Sequence, residues 1–101
     1  MDTTKFKILE VIIKNRGKKF DDIQVALINE FREMSWEEIK GFIYILKKEG
    51  YIAVLNGDNT ILEVRVQPTT LARLRDEKEK AENENVKEII NRILQIGKVM
   101  F

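Results

Sequence analysis

Residues 35–50, with the sequence SWEEIKGFIYILKKEG, decide the fold of this chain because they specify a helix together with both of its ends. Ser35 and Glu38 have the spacing of a capping box, which starts a helix. Gly50 follows two lysines and stands where a glycine commonly ends one. The apolar residues between these signals recur at i, i+3, i+4 and i+7, as on one face of a helix: Ile39, Phe42, Ile43 and Leu46.

Two more helices are predicted upstream of this segment, each from apolar residues at helical spacing. The first begins at a cap formed by Asp2 or Thr3 and stops at Gly17, and the second runs from about Asp22 to Glu33. The residues predicted to face inward are Phe6, Ile8, Leu9, Val11, Ile12 and Ile13 in the first helix and Ile23, Ala26, Leu27, Ile28 and Phe31 in the second.

Downstream of Gly50 the pattern changes from helical to extended. Tyr51–Leu55 and Thr60–Val66 favour strands, and the turn residues 56–59 between them, Asn-Gly-Asp-Asn, are a strong hairpin signal. A further helix is predicted to begin at Pro68. The second strand is predicted to place Leu62, Val64 and Val66 on one face and Ile61, Glu63 and Arg65 on the other.

The last part of the chain is first charged and then apolar. Residues 73–84 are almost entirely charged, which predicts a solvated helix with a weak point at Asn83-Glu84-Asn85. An apolar stripe begins at Val86. We therefore expect an α+β chain that is mostly α, with a winged helix of three helices and a β-hairpin in residues 1–75. Residues 76–101 form a C-terminal helical extension in this prediction.

The order of helix, helix, helix, hairpin and helix is that of a winged helix-turn-helix domain, and two segments also resemble that family in their residues. Residues 39–52 resemble the recognition helix of MarR-type and related bacterial regulators, in which Leu, three polar residues, Gly and two apolar residues lead into the wing. Residues 67–74 resemble the helix start after the wing, with Thr70 where a glycine is customary. The resemblance covers residues 5–75 and implies a fold, not a function.

Composition excludes several classes of protein. The chain has 101 residues, 18 Lys and Arg against 17 Asp and Glu, and neither cysteine nor histidine. No stretch is long and apolar enough for a membrane span, and nothing matches a phosphate-binding loop or a metal-ligand spacing. We therefore expect no enzyme, no cofactor and no metal, and we place the chain in the cytoplasm.

The resemblance implies that the third predicted helix enters the major groove of duplex DNA. The residues expected at that interface are Trp36, Lys40, Tyr44 and Lys47 on this helix and Lys14, Arg16, Lys18 and Lys19 in a separate basic patch. The basic patch is equally consistent with a loop that only increases solubility. Trp36 is also consistent with a side chain that covers the core. Glu37 and Glu38 oppose a polyanion, and the hairpin turn carries Asp58 and no base, which does not support insertion into a minor groove.

The C-terminal apolar stripe predicts a homodimer, since such a stripe is not left in water. We expect the charged segment to carry this helix away from the core. The alternatives are that the helix folds back on its own domain or lies on a membrane surface. The residues expected in the dimer are Val86, Ile89, Ile90, Ile93, Ile96 and Met100.

Two functions follow from the sequence. The first is a small DNA-binding protein, a transcriptional regulator that binds duplex DNA as a dimer. The second is a winged-helix module that binds another protein, as an adaptor or inhibitor, and does not bind DNA. The balanced charge and the acidic residues at the third helix favour the second function. The first function is favoured because small winged-helix proteins most often bind DNA.

Overall fold

A computed structural model describes residues 3–100, and the side chains of residues 3–98. Five helices and one two-stranded antiparallel sheet follow one another along these residues. The predicted α+β class, mostly α, is confirmed, and the order of elements is compatible with a winged helix. The elements are α1 (Thr4–Lys14), α2 (Phe20–Glu30), α3 (Trp36–Lys48), β1 (Ile52–Asn56), β2 (Ile61–Val66), α4 (Thr70–Lys80) and α5 (Glu84–Met100).

Both predicted ends of α3 are confirmed. The Ser35 hydroxyl accepts a hydrogen bond from the Glu38 amide, and the Glu38 carboxylate accepts one from the Ser35 amide, each 3.1 Å long. Gly50 has a φ of +85°, which glycine adopts without strain. The Tyr51 amide donates to the Leu46 carbonyl and the Gly50 amide to the Lys47 carbonyl, the two bonds of a Schellman motif. These caps stop the helix and turn the chain into the hairpin.

Helix α1 lies at the centre of the fold, because α2, α3 and α5 all pack against it. This explains why its apolar residues cover more than one face. Ile8, Leu9, Ile12 and Ile13 are buried, and so is the carboxylate-bearing Glu10. The predicted cap at the start of α1 falls on Thr3, whose side chain makes no capping hydrogen bond.

Helix α2 begins two residues earlier than predicted, and the earlier start adds Phe20 to its inward face. Phe20 is its first residue and is buried, and with Ile23 and Leu27 it defines the face that enters the core. The prediction that Ile28 points inward is wrong. Successive residues of a helix are about 100° apart around its axis, so Ile28 is turned away from the face on which Leu27 lies. The Ile28 side chain is 43% exposed.

The hairpin contains a β-bulge that the alternation of apolar residues does not reveal. Leu55 pairs with Glu63 and Asn56 with Ile61, so that Leu62 is the extra residue on its strand. The bulge reverses the predicted faces at this point: Ile61 is buried, whereas Leu62 is 55% exposed.

The prediction that the charged segment carries the last helix away from the core is wrong. Helix α4 ends at Lys80, and α5 returns to pack on α1 and α4. The Asn83 side chain accepts a hydrogen bond of 2.8 Å from the Asn85 amide at the reversal. The boundary predicted between residues 75 and 76 falls within α4, and residues on both sides of it belong to one hydrophobic cluster.

Candidate nucleic-acid interface

Two adjoining grooves bring together five of the residues expected at a DNA interface. Lys18 and Lys19, in the loop before α2, line the first groove opposite the start of β2. Trp36, Lys40 and Tyr44, on α3, line the second groove. The grooves share three wall residues, Phe20, Thr60 and Ile61, and therefore form one continuous surface, which we call the α3–wing surface.

The other three residues expected at a DNA interface do not line these two grooves. Lys14 lines a separate groove with Glu10, Glu30 and Arg92, so the predicted basic patch is divided between two grooves. Arg16 is exposed in the loop after α1. Lys47 is exposed on α3, and its ammonium lies 6.0 Å from the centre of the Tyr44 ring.

Tyr44 joins α3 to the hairpin turn. Its hydroxyl donates a hydrogen bond of 2.8 Å to the Asn56 side-chain oxygen, at the end of β1. The side chain is still 38% exposed. A phosphate that accepted from this hydroxyl would have to replace the bond to Asn56, so the role of Tyr44 in the free protein is to fix the wing against α3.

Trp36 lies on the α2–α3 junction as a partial lid. Its ring packs at a tilt on the buried ring of Phe20, with 6.0 Å between their centres, and it is half-buried. Of the two interpretations of Trp36, this packing supports the lid over the core.

The α3–wing surface carries both signs of charge. The Lys40 ammonium contacts the Glu37 carboxylate at 3.2 Å, and Asp21 and Glu63 line the same groove as Lys18 and Lys19. Each exposed pair of this kind contributes little to stability, but it reduces the attraction of the surface for a polyanion. A DNA backbone here would meet lysines that already have acidic neighbours.

The residues predicted to form a dimer are placed mainly in the core of their own chain. Val86, Ile89, Ile90 and Ile93 are buried, and Ile96 is half-buried. Arg92 fixes this packing, since its guanidinium donates two hydrogen bonds of 2.9 and 3.0 Å to the buried Glu10 of α1. The Met100 side chain lies outside the described residues. A homodimer stays a prediction, but these buried residues are not available to a second copy while α5 is docked.

Sequence reasoning missed two contributors to the α3–wing surface. The sequence does not predict Phe20 as a core residue and predicts Thr60 only as part of a strand, yet both form walls shared by the two grooves. No local signal marks Thr60, because its position next to α2 and α3 depends on how the hairpin packs.

Other kinds of site are sparse in the described part of the chain. No group of three acidic residues there is placed to hold a metal ion, and no helix in it is long and apolar enough to cross a membrane. Comparison with protein-family models, with curated proteins and with solved structures finds no match.

Proposed function

We propose that the chain is a small winged-helix protein of the cytoplasm that binds duplex DNA and regulates transcription. The observation that supports this is the convergence of the Lys18–Lys19 loop, one side of α3 and the hairpin turn on one surface. In this proposal α3 approaches base edges in the major groove, and the loop lysines contact phosphates. Arg16 and Lys47, both exposed, contribute further phosphate contacts in this proposal.

Lys40 has the central role in this proposal. It is the lysine that lines the α3 groove, and its side chain must leave Glu37 to reach a guanine edge. Lys18 and Lys19 have a different role, because phosphate contacts carry no sequence information. Base reading and backbone attraction can therefore be separated by substitution.

The test is fluorescence anisotropy with duplex DNA of mixed sequence, followed by selection of a preferred site, at low and at moderate salt. The double variant Lys18→Ala/Lys19→Ala should bind every sequence more weakly and show a shallower dependence on salt. Lys40→Ala should lose about 1–3 kcal/mol for the preferred site and little for other sequences.

The matched control removes two cations from the groove between α4 and α5, as Lys78→Ala/Lys98→Ala, far along the chain from the α3–wing surface. Equal losses in the control and in the loop variant would contradict the assigned surface. If the intact protein does not bind DNA even at low salt, the proposal fails.

A second function, binding of another protein, is favoured by a specific feature of the surface of the fold. Large apolar side chains are exposed on α2, on α3 and on both strands of the hairpin, which a surface that only contacts phosphates does not need. These residues are Val25, Ile28, Ile45, Leu55 and Leu62. Failure of DNA binding at low salt, together with pull-down by this chain that Leu55→Asp abolishes, would establish this alternative.

A further inference from the structure

Gly41 stands in the interior of α3 without any requirement from the fold. A Cβ added at this position would meet no atom within 4 Å, and Gly41 does not have a positive φ. Glycine destabilises the interior of a helix relative to alanine. The fold therefore does not explain Gly41, whereas the close approach of a partner to α3 at this position would.

Gly41 belongs to a stripe of exposed residues on the outer side of α3. Glu37, Gly41, Tyr44 and Lys48 follow one another at i, i+4, i+7 and i+11, which places them on one face of a helix. The buried residues Ile39, Ile43 and Leu46 occupy the opposite face. We call the four exposed residues the α3 stripe.

The α3 stripe is complementary to itself when read in the reverse direction. The midpoint between Glu37 and Lys48 coincides with the midpoint between Gly41 and Tyr44, at the bond between residues 42 and 43. An antiparallel copy with its two-fold axis at that point places Glu37 opposite Lys48 and Gly41 opposite Tyr44. Both pairs then occur twice, as in an isologous interface.

We propose that a second copy of this chain packs antiparallel on the α3 stripe. The Tyr44 ring of each copy fills the space left by the missing side chain of Gly41, and each Glu37 pairs with a Lys48. Tyr44 is prepared for this contact, because its hydrogen bond to Asn56 already fixes the side chain.

Both charges of the stripe are exposed, and Glu37 also pairs with Lys40 of its own chain. The Glu37 side chain is 78% exposed, and its ion pair within the described residues is the one with Lys40. Lys48 is exposed and forms no ion pair in the described part of the chain. Ile45, 44% exposed beside the stripe, becomes covered at the edge of the contact. The interface is small, so the dimer is weak and dissociates when the protein is diluted.

This inference does not rest on DNA binding, but it bears on it. The stripe lies on the same helix as Lys40, so a dimer formed there covers the helix proposed to read bases. Self-association and DNA binding then exclude each other. The dimer also differs from the one predicted through α5, because it leaves the docking of α5 on α1 unchanged.

The experiment is sedimentation velocity of the full chain without DNA, from micromolar to millimolar concentration. We expect a monomer–dimer equilibrium. Glu37→Lys and Lys48→Glu should each weaken dimerisation by more than about tenfold, since each turns two attractive pairs into like-charge pairs. The double variant Glu37→Lys/Lys48→Glu should restore the dimer. Arg75→Glu, an exposed charge reversal on α4, is the matched control and should change nothing.

Gly41→Ala separates folding from association, because its two expected effects have opposite signs. The variant should melt at a higher temperature than the natural chain when dilute, and it should dimerise more weakly. A protein that stays monomeric at all concentrations would overturn the inference. So would a dimer that ignores both charge reversals, or a double variant that does not recover. None of these results depends on whether the chain binds DNA.

Discussion

Replacing Ile93 by alanine tests whether α5 is part of the domain or an arm that extends from it. The Ile93 side chain is fully buried, in a helix that packs on α1 and α4. Truncating a buried isoleucine to alanine removes apolar contacts and leaves a cavity, at a cost of about 2–5 kcal/mol. A chain of this length has a total stability of roughly 5–15 kcal/mol, so the change is a large part of it.

The structure also indicates where the loss should be detected. Trp36 is the only tryptophan and packs on Phe20 at the junction of α2 and α3, whereas α5 packs on α1 and α4. If all helices share one core, Ile93→Ala should lower the urea midpoint seen by Trp36 fluorescence as much as the midpoint seen by far-ultraviolet circular dichroism. The melting temperature should fall by at least about 8 °C, since 1 kcal/mol corresponds to about 4–8 °C in a domain of this size.

The control is Gln95→Ala, an exposed position two residues further along the same helix, where we expect a change of at most about 0.5 kcal/mol. Both variants are measured at several protein concentrations, so that dissociation of a dimer is distinguished from unfolding. An unchanged Trp36 midpoint in Ile93→Ala, together with a loss of helical signal, would show that α5 folds separately. The docking of α5 described here would then be wrong.

Three further predictions concern single contacts. Arg92→Ala should destabilise the fold by about 1–2 kcal/mol in urea denaturation, because the buried Glu10 carboxylate loses the two hydrogen bonds that Arg92 donates. The double variant Glu10→Gln/Arg92→Ala should lose less stability than the sum of the two single changes. Ser35→Ala should cost about 0.5–2 kcal/mol by the same measurement, since it removes one half of a capping box, and an equally stable variant would contradict the role of the cap. Burial raises the pKa of Tyr51 above its ordinary value of 10.0, with Glu77 adding to the shift and Arg73 opposing it. The neutral hydroxyl therefore contributes stability that is present below pH 10.0 and lost as the pH rises through the folded-state pKa, so the urea midpoint of the natural chain should fall more steeply above pH 10.0 than that of Tyr51→Phe. Parallel curves for the two proteins would refute this.

Within α3 the sequence by itself determined the structure. The capping box, the apolar face and the glycine at the end all depend on residues within one or two turns of each other, so each signal is local. The hairpin turn was also predictable from local signals, the turn residues 56–59. In the structure the Gly57 amide donates to the Thr60 carbonyl at 2.8 Å, and Asn59 has a φ of +59°.

Only the tertiary structure decided which face of α2 enters the core, which side of β2 Leu62 lies on and where α5 goes. Ile28 and Leu62 are as apolar as their buried neighbours. Ile28 is outside because α2 packs through the face of Phe20, Ile23 and Leu27, and Leu62 is outside because of the β-bulge. The stripe of α5 satisfies the requirements of an intramolecular core and of a dimer equally well, because burial of apolar surface has no preferred partner. The position of α5 is decided by the side of α1 that it covers, where Arg92 of the last helix contacts Glu10 of the first. These two residues are far apart in the sequence, so no local signal predicts that they meet.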